Sequence, residues 1–270
     1  MAKTICVFTN KGGTGKTTTV TNIGYVFASQ GAKVLLVDLD PQSSLSKFFL
    51  GSEAVHDLHR SQTVAALFDD TCEPTLKDLV HPTAFDNLFL TPASEHLKKH
   101  NHPEPHKLGQ LQFSLQDFVA EASEHFDFVI LDCPPDVSNM PTWASLLAVQ
   151  FAVSPILPER FSMQAIAGVD KQLAAAREVN NRLTFLGYFL SQRRSRISLH
   201  DAIEDNLRGL QRDRVFDTVV PQTIAISEAQ QMGKPITNYD NSTPAAKVTV
   251  QLAAELLGRI ANISQQRRAA

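Results

Sequence analysis

The segment over residues 10–18 reads NKGGTGKTT and lies between two stretches of different periodicity. Residues 3–9 (KTICVFT) before it are rich in β-formers, and residues 17–30 (TTTVTNIGYVFASQ) after it carry apolar side chains at helical spacing. A glycine-rich loop between a strand and a helix can turn its backbone N–H groups toward an anion, and the N-terminal end of the helix adds a favourable dipole. Lys16 is then placed to contact phosphate oxygens, and Thr17 to offer its hydroxyl to Mg²⁺. The segment therefore predicts a phosphate-binding loop inside an α/β fold.

Short apolar runs recur along the chain, with helical stretches between them. They cover residues 34–37 (VLLV), 88–90, 128–131, 151–156 and 183–190. Continuous apolar runs of this length are typical of strands buried on both faces, and their alternation with helices indicates βαβ units. We predict a mostly parallel twisted sheet with helices on both faces, in a single domain over residues 1–270. We expect no separate N-terminal helix-turn-helix domain, because the first strand begins at residue 3.

The composition is that of a globular protein with little net charge. The 270 residues carry 25 basic and 28 acidic side chains, for a net charge of −3, and 43% are hydrophobic. This composition excludes intrinsic disorder, and it gives no overall attraction to nucleic acid or anionic lipid, so such binding would need a local patch. Cys6, Cys72 and Cys133 form no CxxC pair, which disfavours a zinc site or a disulfide framework. The sequence has no run of 18 apolar residues that would predict a membrane span, and we expect a soluble, cytoplasmic protein.

The carboxyl ends of two predicted strands carry acidic residues. The segment VLLVDLDPQ places Asp38 and Asp40 after the second strand, and FVILDCPPD places Asp132 after a later one. In open parallel sheets the ligand-binding crevice lies outside these strand ends. Acids at such positions can also cap the next helix. Together with a phosphate loop, the three carboxylates instead predict the polar side of a nucleotide site.

Four histidines lie close together over residues 96–106 (HLKKHNHPEPH). They are His96, His100, His102 and His106. A metal site would need these rings to converge, and Pro103 and Pro105 break any helix that could bring them together. We therefore expect a solvated loop here rather than a metal site.

Residues 11–18 (KGGTGKTT) resemble the deviant Walker A box of the ParA/MinD family of P-loop ATPases, with Lys11 at the position of the family's second, signature lysine. Asn10 stands where the standard P-loop pattern has glycine. The resemblance extends over nearly the whole chain and is weak only around the histidines. Its further segments are VDLDPQSS, FDFVILDCPP, SPILPERFSMQAIAG and VFDTVVPQTIAISEAQQMGKPITNYDNSTPAA. The last two segments are characteristic of ParA-type partition ATPases.

The resemblance implies ATP and Mg²⁺ as cofactors, and it implies a role for each matching residue. Lys16 would contact the β- and γ-phosphates, and Thr17 would ligate Mg²⁺ with support from Asp132. Asp40 would position the attacking water, while Asp38 would lie nearer the metal. The other implied nucleotide contacts are Gly12, Gly13, Thr14, Gly15 and Thr18 in the loop, with Pro221 and Gln192 on the adenine side.

The signature lysine implies a homodimer. Lys11 would reach the nucleotide of a second subunit, so that ATP bridges two copies of the chain face to face. A lysine offset from the loop is poorly placed for its own γ-phosphate but can neutralise charge supplied by a partner. Asp40 alone is a weak general base, which implies slow Mg²⁺-dependent hydrolysis of ATP. A ParB-like or other adaptor protein would then accelerate hydrolysis and release the dimer.

The resemblance also implies non-specific DNA binding by the ATP-bound dimer. Six arginines cluster in the C-terminal part of the chain, namely Arg193, Arg194, Arg196, Arg208, Arg212 and Arg214. Four acids in the same stretch offset part of their charge, and a solvated helix face is the alternative interpretation. Gln222 and Ala225 stand where family members often have arginine, which predicts a reduced DNA affinity and salt dependence.

Two functions therefore stay open. The first is a DNA-associated ATPase, nucleoid-associated when ATP-bound, that segregates a plasmid or chromosome or spaces a protein cargo. The second is a MinD-like membrane-associated positioning ATPase, or a cargo-positioning ATPase with little DNA affinity. Residues 248–268 have apolar side chains at helical spacing but few basic ones, so we expect a core-packing helix rather than a membrane anchor.

Overall fold

Seven strands form one sheet in the part of the chain that the structure, a computed structural model, describes. That part comprises residues 2–69, 74–100, 107, 109–136, 139–159, 162–194 and 197–269. The strands are β1 (Lys3–Val7), β2 (Val34–Asp38), β3 (His81–Pro82), β4 (Leu88–Thr91), β5 (Phe128–Asp132), β6 (Phe151–Ile156) and β7 (Thr184–Leu190). Their order across the sheet is β3-β4-β2-β5-β1-β6-β7, and each of these neighbouring pairs is parallel except β3 with β4.

Helices alternate with the parallel strands along the chain. They are α1 (Lys16–Ser29), α2 (Ser44–Leu50), α3 (Ser52–Asp57), α4 (Leu76–Leu79), α5 (Ser114–His125), α6 (Met140–Ala148), α7 (Ser162–Val179), α8 (Ser198–Gln211), α9 (Ile224–Gln231), α10 (Ile236–Tyr239) and α11 (Pro244–Ala269). This arrangement confirms the predicted α/β fold with a mostly parallel sheet.

The central strands are buried because helices cover the sheet on both sides. All five residues of β2 and all five of β5 are buried. Leu35 packs in a core with α5, α6 and α7, whereas the next residue, Leu36, packs in a core with α1 and α11. Successive side chains of a strand point to opposite faces, so an uninterrupted apolar run supplies both cores.

Helix α11 completes the core on the α1 side of the sheet. Leu252, Ala253, Leu256 and Ile260 are all buried there. The core-packing helix expected from the sequence is thereby confirmed. Among the helices that the structure describes, none is both long and apolar enough to cross a membrane.

The structure differs from the sequence-based expectation at one sheet edge and around the histidines. β3 is a two-residue antiparallel edge strand, too short to give a strand pattern in the sequence. Glu95–His100 forms a 3₁₀ helix rather than a solvated loop, because Leu97 is buried in the core. His102 and His106 lie outside the described residues, as does Cys72.

Gly187 in β7 occupies a position that only glycine fits. Its φ of +133° is one that L side chains rarely adopt, and a Cβ there would collide with the backbone oxygen of Arg214. We expect Gly187→Ala to lower the free energy of unfolding by about 2–4 kcal/mol, measured by urea denaturation.

Gly209 in α8 provides the matched control, because a Cβ at this position meets no atom within 4 Å. Gly209→Ala should raise the free energy of unfolding by up to about 1 kcal/mol, since alanine favours a helix interior. Equal stability of the two variants would contradict the steric role of Gly187.

Candidate functional site

A cleft of about 400 Å³ lies where β1 passes into α1. Gly13 and Gly15 shape its floor with φ angles of +71° and +83°, a left-handed backbone that glycine adopts without strain. Helix α1 begins directly after them, so its free N–H groups lie at the cleft. The residues lining the cleft are Gly12, Gly13, Thr14, Gly15, Lys16, Thr17, Thr18, Thr21, Asp40, Ser44, Phe48, Pro135, Gln192 and Gln230. The structure thus brings residues 12–18 of the predicted phosphate loop together around one cavity.

Lys16 is the cation at the floor of this cleft. The residue is only 7% exposed, and its Nζ lies 3.5 Å from the backbone oxygen of Lys11. Burial lowers the pKa of the Lys16 amine, while the nearby carboxylates of Asp132 and Asp40 act in the opposite direction. A largely desolvated lysine of this kind attracts an anionic ligand strongly.

Thr17 and Asp132 meet beside Lys16. The Thr17 hydroxyl donates a hydrogen bond of 2.6 Å to Asp132 Oδ2. Asp132 is 1% exposed, and its Oδ1 has no hydrogen-bond partner among the described residues. Burial, together with the neighbouring charge of Asp38, raises the pKa of Asp132 well above its usual range. A buried carboxylate oxygen without a partner, next to a hydroxyl with free lone pairs, fits a hard cation such as Mg²⁺.

Asp38 is fully buried behind the cleft and does not line it. Its Oδ2 accepts hydrogen bonds from the backbone N–H and the hydroxyl of Ser46, at 2.9 and 2.7 Å, and its Oδ1 accepts one from the N–H of Asp40 at 3.1 Å. Burial raises the pKa of Asp38 to about 6. The parallel register of β2 and β5 pairs Asp38 with Asp132, so the two carboxylates lie on neighbouring strands.

Asp40 is half-buried and borders the cleft. Its Oδ1 accepts a hydrogen bond of 2.9 Å from the N–H of Gln42, and its backbone oxygen accepts one from Ser43. These bonds form the turn that leads from β2 into α2 and hold the carboxylate at the cleft edge.

Lys11 makes an ion pair with Glu159, which follows β6. Both side chains are partly exposed. Sequence reasoning did not identify Glu159 as a partner of Lys11, although it lies within the quoted segment SPILPERFSMQAIAG. The residue predicted to act on a second subunit is thus held by a carboxylate of its own chain.

Two glutamines from the C-terminal half of the chain contact the phosphate loop. Gln192, which has a positive φ of 55°, donates a hydrogen bond to the backbone oxygen of Gly13. Gln230 of α9 donates one of 2.7 Å to the hydroxyl of Thr18. Both glutamines also line a neighbouring pocket of about 180 Å³, together with Pro221. Gln192 and Pro221, for which the sequence predicts an adenine contact, thus line one pocket beside the cleft together with Gln230, which was not predicted.

Comparison with known proteins identifies the family. A family model described as an AAA domain (AAA_31) matches residues 2–185. The chromosome-partitioning ATPase Soj of Thermus thermophilus is 33% identical over 257 residues, covering 95% of this chain and 96% of that protein. The chain belongs to the ParA/MinD family of P-loop ATPases.

Solved structures show the same fold for this ParA/MinD-family chain. Apo McdA of Cyanothece superposes with a TM-score of 0.80 at 24% identity, covering 95% of this chain and all of that one. The septum site-determining protein MinD of Pyrococcus horikoshii, complexed with Mg-ADP, gives a TM-score of 0.73 at 24% identity, covering 95% and 96%. The described part of the chain therefore has the same fold as these proteins.

Three of the clustered arginines are engaged in ion pairs within the chain. Arg193 pairs with Asp201 and Glu204, and Arg208 pairs with the same Glu204 at 3.0 Å. Arg214 pairs with Asp170 of α7. These contacts tie α8 and the turn after it to the rest of the fold. Their guanidinium charge is largely offset by carboxylates.

The remaining arginines of the cluster are placed differently. Arg194 donates to the side chain of Gln222, a neutral partner. Arg212 is exposed and makes no ion pair or side-chain hydrogen bond with any described residue. Arg196 lies outside the described residues. Arg194 and Arg212 are thus the members of the described cluster whose positive charge is not paired with a carboxylate.

The buried carboxylates make the stability of this ATPase depend on pH. A carboxylate whose folded pKa lies above its unfolded value of about 3.9 binds more protons in the folded state, so stability falls as pH rises through the folded pKa. Asp38, with its folded pKa near 6, places this loss between about pH 4 and pH 7. We expect Asp132→Asn to raise the free energy of unfolding of the metal-free, nucleotide-free protein at pH 8 by at least about 1 kcal/mol, with a smaller gain at pH 5.

Thermal and urea unfolding between pH 5 and pH 8 measure this effect. Asp86→Asn, at an exposed loop position, is the control and should change stability little at any of these pH values. A lower stability of Asp132→Asn than of the wild type at pH 8 would contradict the pKa shift assigned to Asp132.

Proposed function

We propose that this chain is a Mg²⁺-dependent ATPase, acting as a single domain, that forms a homodimer around ATP and positions a cargo through reversible association with DNA. The observation that carries the proposal is the Thr17–Asp132 hydrogen bond beside buried Lys16. At this point the amine of Lys16, which can bind phosphate oxygens, lies beside the Thr17 hydroxyl and the Asp132 carboxylate, which can bind Mg²⁺. Relatives named for chromosome partitioning, in Thermus thermophilus and Myxococcus xanthus, support a segregation or spacing function.

Nucleotide binding in this proposal uses the loop and the start of α1. Lys16 and the backbone N–H groups of residues 12–18 contact the phosphates. Thr17 and Asp132 would hold Mg²⁺, which when bound offsets the charge of the β- and γ-phosphates. Gln192 and Pro221 contribute to the adenine side from the neighbouring pocket.

Hydrolysis of ATP to ADP and phosphate depends on the turn after β2. Asp40 is proposed to position the attacking water from the edge of the cleft. Asp38 holds the backbone N–H of Asp40 from inside the sheet, and through Ser46 it also holds the start of α2. A single partly exposed carboxylate is a weak general base, so we expect slow turnover. An adaptor protein of the ParB type would accelerate hydrolysis and end the ATP-bound state.

Dimerisation is proposed to use Lys11. The ion pair with Glu159 is partly exposed, so it contributes little stability and can be exchanged at small cost. The γ-phosphate of the ATP bound to a second copy carries more negative charge than one carboxylate, and it offers several acceptor oxygens. ATP-bound chains should therefore draw Lys11 from Glu159 to the partner's nucleotide.

The two loop lysines should separate nucleotide binding from dimerisation. In an Asp40→Ala background, which is expected to retain ATP as a dimer, Lys16→Ala should weaken ATP binding at least about 50-fold through loss of a buried charge-assisted contact. Lys11→Ala should weaken it less than about threefold and leave the ATP-bound protein monomeric. Calorimetric titration measures the affinity, and sedimentation velocity measures the association state.

Lys171→Ala, at an exposed position of α7, serves as the control and should keep both properties. If Lys11→Ala and Lys16→Ala lose nucleotide binding and dimerisation to the same extent, Lys11 has no separate role on the partner's nucleotide. If the Asp40→Ala protein itself stays monomeric with ATP, the homodimer proposal is wrong.

Association with DNA is proposed to follow from dimerisation. Arg194 and Arg212 are the described cations of the cluster without a carboxylate partner, and a dimer presents each of them twice. Phosphate contacts supply nearly all of non-specific DNA binding, so a doubled set of few cations gives weak, salt-sensitive retention. In this proposal the ATP-bound dimer associates with the nucleoid and leaves it after hydrolysis.

Substitution of individual arginines tests this surface. With ATP and Mg²⁺, Arg212→Ala should weaken binding to random duplex DNA about 3–10-fold and reduce the salt dependence, because each dimer loses two phosphate contacts. Arg214→Ala removes the ion pair to Asp170 and should mainly lower the melting temperature. Filter binding at several salt concentrations and thermal unfolding distinguish the two effects. Equal loss of DNA binding without loss of stability in both variants would contradict this division.

The ion pairs of Arg193, Arg208 and Arg214 also favour a second candidate function, an ATPase that positions a cargo with little DNA affinity of its own. The same DNA-binding experiment separates the two candidates. If the wild-type protein shows no ATP-dependent, salt-sensitive binding to random duplex DNA, the second candidate is favoured. Stable membrane insertion is not part of either proposal, because the apolar face of α11 packs on the core.

A further inference from the structure

Gln230 reaches the phosphate loop from a distant part of the chain. It lies on α9, it lines the cleft, and its carboxamide nitrogen donates a 2.7 Å hydrogen bond to Thr18 Oγ1. The two residues are 212 positions apart in the sequence. Because the Thr18 oxygen accepts this bond, its own proton must point elsewhere.

The Thr18 hydroxyl proton has no acceptor among the described residues. A threonine in a helix commonly donates to the carbonyl four residues earlier, as Thr19 does to Gly15 at 2.7 Å. For Thr18 the corresponding carbonyl belongs to Thr14, and that oxygen accepts the hydroxyl of Ser191 at 2.8 Å instead. The proton of Thr18 is therefore available to a ligand in the cleft that it lines.

A polar seam along α1 holds α10, and Ala229 of α9 packs with Ile236 of α10, so the helix that carries Gln230 is fixed against α1 through α10. Asn22 donates to the backbone oxygen of Thr18 and accepts the backbone N–H of Ile236, both at 2.7 Å. One turn further along α1, the hydroxyl of Tyr25 accepts a 3.0 Å bond from Asn238. These contacts lie on the same face of α1 as Thr18, because residues three or four apart share a helix face.

We propose that Gln230 is a positioning residue for the nucleotide, which directs the hydroxyl proton of Thr18 at a phosphate oxygen. The inference rests on the proposed binding of ATP in the cleft. It gives the two neighbouring threonines opposite roles. Thr17 donates to Asp132 and so presents lone pairs, as a cation requires. Thr18 accepts from Gln230 and so presents a proton, as a phosphate oxygen requires.

A double-mutant cycle on nucleotide affinity tests this role in the full chain. Gln230→Leu leaves the Thr18 hydroxyl without direction and should weaken both ATP and ADP about fivefold, the effect of one hydrogen bond. Thr18→Val should weaken them to a similar or greater extent. The double variant should bind no more weakly than Thr18→Val alone, because the glutamine acts only through the hydroxyl. Thr18→Ser retains a hydroxyl, so adding Gln230→Leu to this variant should still weaken nucleotide binding about fivefold.

Gln230→Glu distinguishes the direction of the hydrogen bond. A carboxylate can only accept, so it would draw the Thr18 proton away from the cleft and add negative charge near the phosphates; we expect at least a tenfold loss of affinity. Gln231→Glu adds the same charge at the next, exposed position and should change affinity less than about twofold. Wild-type affinity in Gln230→Glu would overturn the proposal.

Two further results decide the remaining cases. If the losses of Gln230→Leu and Thr18→Val add, or if Gln230→Leu lowers the melting temperature of the nucleotide-free protein without changing affinity, Gln230 has only a structural role and the proposal is wrong. If the wild-type chain binds neither ATP nor ADP, the proposed function fails and this inference fails with it. Nucleotide binding by the wild-type protein distinguishes that case from a failure of the role proposed for Gln230.

Discussion

Two buried carboxylates on neighbouring strands are the constraint on which the site depends. The register of the parallel sheet pairs Asp38 with Asp132, and both side chains are shielded from water. Burial raises the pKa of each, and the proximity of Asp38 raises that of Asp132 further. Like charges in a region of low dielectric are costly unless donors or cations offset them. Ser46 donates two hydrogen bonds to Asp38. Thr17 donates one to Asp132, and the charge of Lys16 lies nearby. Within the described residues, Oδ1 of Asp132 has no hydrogen-bond partner. The site is thus arranged to gain stability from added positive charge.

This arrangement explains why chemically identical side chains have different tasks. Asp38 and Asp40 are two residues apart, yet the first is fully buried with three hydrogen bonds and the second borders the cleft. The buried carboxylate fixes the backbone of the turn, whereas the half-buried one lies at the cleft edge, where a ligand in the cleft would meet it. Any ligand that binds only the folded state adds to its stability, and a cation in the cleft would also offset part of the negative charge of the two buried carboxylates. Stability and ligand binding are therefore linked through the same few atoms.

The sequence predicted the parts of the molecule that depend on local pattern. Continuous apolar runs predicted the central strands, because helices cover both faces of the sheet, and the glycine loop predicted the cleft. It did not predict β3, which has only two residues. It also missed Glu159 beside Lys11 and Gln230 beside Thr18, since these contacts join positions 148 and 212 residues apart and depend on where whole elements pack. The local pattern of the sequence indicates helices and strands, whereas the pairing of polar side chains from distant positions depends on how those helices and strands pack.

The arginines illustrate the same distinction for charge. In the sequence, six arginines near one another suggest a basic surface, but the fold joins Arg193 and Arg208 through Glu204 and joins Arg214 to Asp170. Such pairs offset the guanidinium charge, so the part of this cluster that the structure describes offers few unpaired cations in one copy. Because the logarithm of DNA affinity scales with the number of phosphates neutralised, doubling a small number of contacts changes affinity far more than twofold. A cluster with few unpaired cations in each copy is for that reason better suited to a DNA association controlled by dimerisation than a strongly basic surface, which would hold the monomer on DNA.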